Sequence, residues 1–224
     1  MVKQLIVDVS RHLDSLRDVD GKKWDAPSVY GITVEAPCVG SRLNIPNGGI
    51  TFYHSRTART ALGIGLIARY AGIQNPKVTI ADALNGMVRC ADDDVEIQKF
   101  TKGVEDRDAY ESIVVAYCSD ASKLRLGTEL PAQVGTRYQG HVHSLKRHFD
   151  TLKDGQTGCV FNMGHEPCLT HLVMQVTGKP YDAKDFGGAA HTAEAIRFTM
   201  EDTGSGVIQV KMNYRDMNAN YTLH

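Results

Sequence analysis

The 224-residue chain contains no stretch approaching the roughly 20 consecutive apolar residues that a membrane crossing needs. Its N-terminus lacks the charged-then-apolar pattern of a secretory leader. Formal net charge is −1, with 25 Lys and Arg against 26 Asp and Glu, so no basic field is present to attract nucleic acid. The five cysteines, Cys38, Cys90, Cys118, Cys159 and Cys168, show no Cys-x-x-Cys spacing, and an odd number cannot all pair. That argues against a zinc site and against a secreted disulfide framework. No internal repeat or low-complexity segment is visible. These absences predict a cytoplasmic protein with neither membrane nor nucleic acid as partner. The length suits one domain over 1–224, and 42% apolar residues can fill a sizeable core.

The informative residues follow apolar runs. Leu5-Ile6-Val7-Asp8-Val9-Ser10 is rich in β-branched residues, reads as a strand, and ends in Arg11-His12. A permanent cation beside an imidazole at a strand end suits a phosphate. A second run, 157–163, ends in Gly164-His165-Glu166-Pro167 and precedes a helical pattern over 169–177. A third, 49–54, closes in Ser55-Arg56-Thr57-Ala58-Arg59-Thr60-Ala61 and leads into helical spacing over 62–70. Arginines in the first turn of a helix oppose its dipole, which predicts an anion between them.

Further strands are expected at 77–80 and 112–117, a helix at 132–152, and a terminal hairpin of 195–200 with 206–214. Strands separated by helical segments point to a mostly parallel sheet with helices on both faces. In such sheets ligands collect at the carboxyl ends of the strands, where Arg11, His12, Ser55 and His165 all fall.

With these segments read, the chain resembles the histidine phosphatase superfamily, of phosphoglycerate mutase-like fold, over most of its length. The family's first block, Arg-His-Gly, is matched by Arg11-His12 with Leu13 in place of the glycine. Its second, a serine four residues before an arginine and then a helix ending in glycine, is matched by Ser55, Arg59 and Gly72. Its third resembles Gly164-His165-Glu166-Pro167, and Trp24-Asp25-Ala26-Pro27 is similar to a stretch of the mutase branch. Two departures stand out. Leu13 removes a glycine that lets backbone approach phosphate closely, which predicts a wider first loop. The family's Thr-Ala, four residues after the arginine, fits Arg56 with Thr60-Ala61, so Arg56 rivals Arg59, which the serine and glycine spacings favour.

The resemblance implies a three-layer α/β/α sandwich and metal-independent hydrolysis of a phosphate monoester, or of phosphohistidine on a phosphoprotein, through a phosphohistidine on His12. It needs no cofactor. Arg11, Arg59 and His165 would grip the phosphoryl oxygens, with Arg56 as the alternative. The proton for the leaving group would come from Asp82, where mutase-branch relatives carry a glutamate, or from Glu166, where acid phosphatases carry their acid. Two alternatives stay open. One is a mutase, for which Arg17, Lys22 and Lys23 are the evident cations for a substrate carboxylate. The other is a catalytically silent binder of a phosphorylated ligand.

Other residues read more plainly. His141 and His143 suit a polar helix face, Asp92-Asp93-Asp94 a solvated run, Cys168 packing, and 187–191 a loop. His54 and Ser55 are expected to support the arginine loop. Specificity is expected in the segments 14–34 and 88–110.

Overall fold

The computed structural model describes residues 2–17, 23–43, 45–202, 204 and 206–224. Lys22, and the side chains of Arg17, Lys23 and Trp24, lie outside the described residues.

Strand β1 (Gln4–Arg11) is almost wholly buried, as a near-continuous apolar strand between two layers must be. A two-stranded ribbon, β2 (Ser15–Arg17) with β3 (Lys23–Pro27), follows it, then a π-helical turn (Gly31–Glu35) running into α1 (Ala36–Arg42). Next come β4 (Ile50–His54), α2 (Ala58–Tyr70) and β5 (Val78–Ile80). Helices α3 (Ala91–Thr101), α4 (Arg107–Ser119), α5 (Pro131–Ser144) and α6 (Lys146–Asp150) precede β6 (Thr157–Gly164) and α7 (Cys168–Thr177). The short α8 (Ala183–Phe186) leads to β7 (Ala195–Asp202), β8 (Ile208–Tyr214) and β9 (Met217–Leu223).

Among the described residues the strands other than β2 and β3 form one seven-stranded sheet in the order β5-β4-β6-β1-β7-β8-β9. The pairs β5·β4, β4·β6 and β6·β1 are parallel, and the β7–β9 meander is antiparallel, so five strands point one way. Alternate side chains leave the sheet on opposite faces. Phe52, Phe161 and Met163 join Leu13, Ile64 and Ile67 in the layer of α1 and α2. Tyr53 and Val160 join Tyr138, Leu169 and Leu172 in the layer of α5 and α7. Each fully buried side chain of this size contributes roughly 2 kcal/mol of transfer free energy. The result is the expected three-layer α/β/α sandwich.

Register positions the site. Arg11 sits opposite Gly164, and His54 opposite Met163, so β1, β4 and β6 end at one level and their following loops meet. Gly164 is required there by packing: a Cβ would stand 2.7 Å from the hydroxyl of the fully buried Tyr138.

Three local expectations change. Residues 112–117 are not a strand but part of α4, whose apolar positions Val114, Tyr117 and Cys118 pack with Ile97 of α3. A short apolar run has no periodicity to separate the two states, and the Asp106 carboxylate, accepting from the Ala109 N–H at 2.7 Å, starts the helix upstream. The terminal hairpin gains a third strand, β9, hidden in the sequence because it is an edge strand of mainly polar side chains. Asp93 is fully buried rather than solvated, accepting from the hydroxyls of Thr128 and Tyr117 and from the Arg125 N–H, and so ties α3 to α4 and the turn after it. Among the described residues no helix is long and apolar enough to cross a membrane.

Candidate active site

His12 follows β1 directly, its N–H donating to the Gly164 carbonyl at 3.1 Å. Its Nδ1 lies 2.7 Å from the Leu13 carbonyl, which can only accept, so Nδ1 carries the ring proton and Nε2 keeps the lone pair. Burial, then the charges of Arg59 and Arg11 and the neighbouring His165, hold the His12 pKa well below its ordinary value. The ring is neutral at pH 7. The Leu13 side chain packs in the α1/α2 layer, and its φ is not among the positive ones of the described residues. A neighbouring bond, Asp14 N–H to the buried Glu35 at 2.6 Å, holds the turn.

The anion expected at the start of α2 is a residue of the chain. Asp25, from β3, accepts from the N–H groups of Ala58 and Arg59 at 2.7 and 3.1 Å and caps the helix in place of Thr57. Arg59 then reaches the pocket wall, its Nη2 donating to Nδ1 of His165 at 3.3 Å. A guanidinium cannot accept, so the ring proton of neutral His165 is on Nε2, which pairs with the Ser55 hydroxyl at 2.7 Å. Ser55 is itself held by Thr60 at 3.0 Å. The two histidine rings are 5.3 Å apart. Burial lowers the Arg59 pKa, although Asp25 opposes the shift.

Arg56 points elsewhere. Its guanidinium pairs with the Asp82 carboxylate, and both side chains are more than 60% exposed, at 66% and 62%. The hydrogen bond to Arg56 holds Asp82 below its ordinary carboxylate value. Two of the sequence candidates thus satisfy one another on the surface, and neither lines the pocket.

Arg11 is 3% exposed and anchored at both terminal nitrogens: Nη1 donates to the Ala190 carbonyl at 2.5 Å, and Nη2 forms an ion pair with Glu111 at 2.9 Å. Its Nε is buried without a hydrogen-bond partner, as is Nε of Arg59. Such donors cost free energy unless an anion completes them. Glu166 is half-buried on the same wall; Oε1 accepts from the Thr170 hydroxyl at 2.5 Å and the Ala190 N–H at 3.1 Å, and the buried Oε2 makes no hydrogen bond. Burial raises its pKa against the opposing charge of Arg11.

The loop 187–191 therefore does more than connect. Arg215, at φ +52° in the β8–β9 turn, spreads its donors over the carbonyls of Phe186, Gly188 and Ala189 and over Glu194, and so fixes Ala190 between Arg11 and Glu166.

These groups line a cavity of about 290 Å³, whose outer wall is Met87, Arg89, Ile97, Tyr110, Glu111 and Val114 from α3, α4 and the segment before them. Glu111 is the functional candidate that sequence reasoning missed. Its signal was a single carboxylate sharing the buried face of α4 with Val114, Val115 and Cys118. The remaining candidates lie apart. His141 donates to Asn162 at 2.9 Å while His143 meets the Tyr221 hydroxyl at 3.2 Å. Burial pushes the Cys168 thiol up to about 12, so it stays protonated. No group of three or more His, Cys, Asp or Glu among the described residues is placed to hold a metal ion.

The sequence matches no family model and no curated protein. Solved structures do resemble it. A mycobacterial glucosyl-3-phosphoglycerate phosphatase in complex with inorganic phosphate superposes with a TM-score of 0.59 at 15% identity, over 96% of this chain and 97% of that one. A phosphoglycerate mutase from Bacillus anthracis gives 0.57 at 14% identity, over 88% of each chain. YhfR of Bacillus stearothermophilus gives 0.59 at 14% identity, over 87% and 90%. Seven strands in this order, with the loops after β1, β4 and β6 converging, are thus the phosphoglycerate mutase-like fold that these solved structures share.

Proposed function

We propose that this chain, acting as one domain over 1–224, is a metal-independent phosphatase that hydrolyses a small phosphate monoester through a phosphohistidine on His12. The observation that carries the reading is a neutral imidazole with its lone pair on Nε2, beside two arginines whose buried Nε donors make no hydrogen bond. Phosphatases and a mutase among the solved structures of the same fold support it. So does the cavity, about 290 Å³, which suits a small substrate.

In the first step Nε2 of His12 attacks phosphorus, the N–P bond forming as the bond to the leaving oxygen breaks. Arg11 and Arg59 receive the charge that spreads over the equatorial oxygens. His165, held by Ser55, orients Arg59 at the same group. Glu166 supplies the leaving group's proton: it lines the cavity, its Oε1 already accepts two hydrogen bonds, its Oε2 is left without a hydrogen bond, and desolvation raises its pKa. In the second step ionised Glu166 takes a proton from water, whose oxygen bonds to phosphorus as the N–P bond breaks.

A mutase needs a second set of cations for its substrate carboxylate. Among the described residues the further cation on the wall, Arg89, is already paired with Asp94 at 2.7 Å, which supports hydrolysis. Five free thiols support a cytoplasmic setting. The deciding experiment is phosphate release from a panel of phosphate monoesters and a phosphohistidine peptide, with and without chelator. Wild-type protein is expected to turn over in chelator and to form an acid-labile, base-stable phosphoenzyme that His12→Ala lacks. Activity that requires an added divalent cation overturns the metal-independent reading, and phosphate binding with no turnover of any substrate identifies a silent binder.

A further inference from the structure

Three carboxylates, Asp14, Glu111 and Glu166, and two guanidiniums, Arg107 and Arg11, cluster at the pocket wall and just behind it. Arg107, at the start of α4, pairs with Asp14 in the loop after β1, and one turn later α4 places Glu111 against Arg11. Arg11 lies between Glu111 on Nη2 and the Ala190 carbonyl on Nη1, while the N–H of the same Ala190 donates to Glu166. Among the described residues, the buried cation next to Glu166, Arg11, is thus already matched by a different carboxylate. Two acids, buried Glu111 and half-buried Glu166, share a neighbourhood with one positive charge, and the ion-pair geometry gives that charge to Glu111.

We propose that Glu111 is a positioning residue for the leaving-group proton: by matching the charge of Arg11 it keeps that proton on Glu166 at neutral pH. The proposal rests on the reading of Glu166 as the general acid. It separates acid from counterion in the way that pairs of carboxylates in one site do when their surroundings differ. The other groups facing Glu166 do not take over the task. Thr170 and Cys168 on α7 are neutral, Tyr181 and Tyr214 are phenols pushed up by burial, and Arg215 is committed to Glu194. Remove the charge of Glu111, and Arg11 is left to stabilise ionised Glu166 instead. The electrostatic influence of Glu111 on Glu166 has the required sign, since it opposes ionisation there while Arg11 favours it.

The test compares wild type, Glu111→Gln, Glu111→Asp and Glu166→Gln in two measurements. Infrared difference spectra across pH read the band of a protonated buried carboxylic acid, assigned to Glu166 by its loss in Glu166→Gln. This arm needs no turnover. The second arm is the pH dependence of kcat with glycerol 2-phosphate, an alkyl phosphate whose departure needs protonation. Wild type is expected to show the band at pH 7. In Glu111→Gln both the titration of the band and the alkaline limb of kcat should move to lower pH by about one unit, the scale of an opposite charge in contact. Glu111→Asp, which keeps the charge, should hold both near wild type. The proposal is overturned by a wild-type band missing at pH 7, by a band in Glu111→Gln that titrates as in wild type, or by Glu111→Asp shifting as far as Glu111→Gln. If the band behaves as expected but no phosphate monoester is turned over, the phosphatase reading fails and the placement of the proton stands.

Discussion

Replacing Arg59 with lysine separates geometry from charge at the pocket wall. The native side chain is 21% exposed, donates Nη2 to His165 at 3.3 Å, and carries a buried Nε that makes no hydrogen bond and lies 3.9 Å from the Asp25 carboxylate, so the fork's geometry as well as its charge is set at this site. Lysine preserves the positive charge and loses the fork. A single charge-assisted donor aimed at developing charge is worth about 3 kcal/mol in the transition state, or roughly a hundredfold in kcat. Arg56→Lys is the matched control, because that side chain is 66% exposed and its partner Asp82 62% exposed. Solvent screens such a pair, so kcat should stay within about twofold of wild type. The assay is steady-state phosphate release with kcat and KM resolved, alongside thermal melts to show that each variant is folded. If Arg56→Lys loses as much rate as Arg59→Lys, or if Arg59→Lys keeps wild-type kcat, the assignment of the gripping arginine is wrong.

Two further outcomes are expected. Glu166→Gln should slow an alkyl phosphate at least tenfold more than an activated aryl phosphate, whose departure needs little protonation, while Asp82→Asn leaves the ratio unchanged; equal losses on both substrates for Glu166→Gln would remove it as the acid. Stability should fall as the solution is acidified through the ordinary histidine range, because burial lowers the pKa of His171 from 6.5 to about 4 and the unfolded chain therefore takes up the proton first. This one residue should account for about 2 kcal/mol between pH 7.5 and pH 5, read as the difference in urea unfolding free energy between wild type and His171→Gln across the two conditions; parallel pH dependence of the two proteins would refute it.

Which features could be read early follows from the range over which each is determined. The strands at 4–11 and 157–164 are legible because both faces are buried and the apolar run is nearly unbroken. The α4 segment reads as a strand because six apolar residues in a row, 113–118, look alike in a helix and a strand; its cap at Asp106 and its packing on Ile97 decide the matter. β9 escaped because an edge strand exposes most of its side chains. The arginine problem had the same character: Ser55, Arg56 and Arg59 were all visible, but two spacings competed until Asp25 capped α2 from a distant ribbon and Asp82 drew Arg56 to the surface.

By itself, then, the sequence determined three strand ends bearing Arg11-His12, Ser55 and Gly164-His165-Glu166, because local residue pattern dictates where an apolar strand stops and what chemistry follows it. The tertiary structure decided which of those groups meet and in what charge state. Parallel register brings Arg11 level with Gly164 and His54 level with Met163. Glu111 and Ala190 arrive at Arg11 from 100 and 179 residues away in sequence, and Glu166 is half-buried where desolvation raises its pKa. Burial and ion pairing are properties of a packed interior, whose low dielectric makes each contact decisive, and no window along the chain contains them.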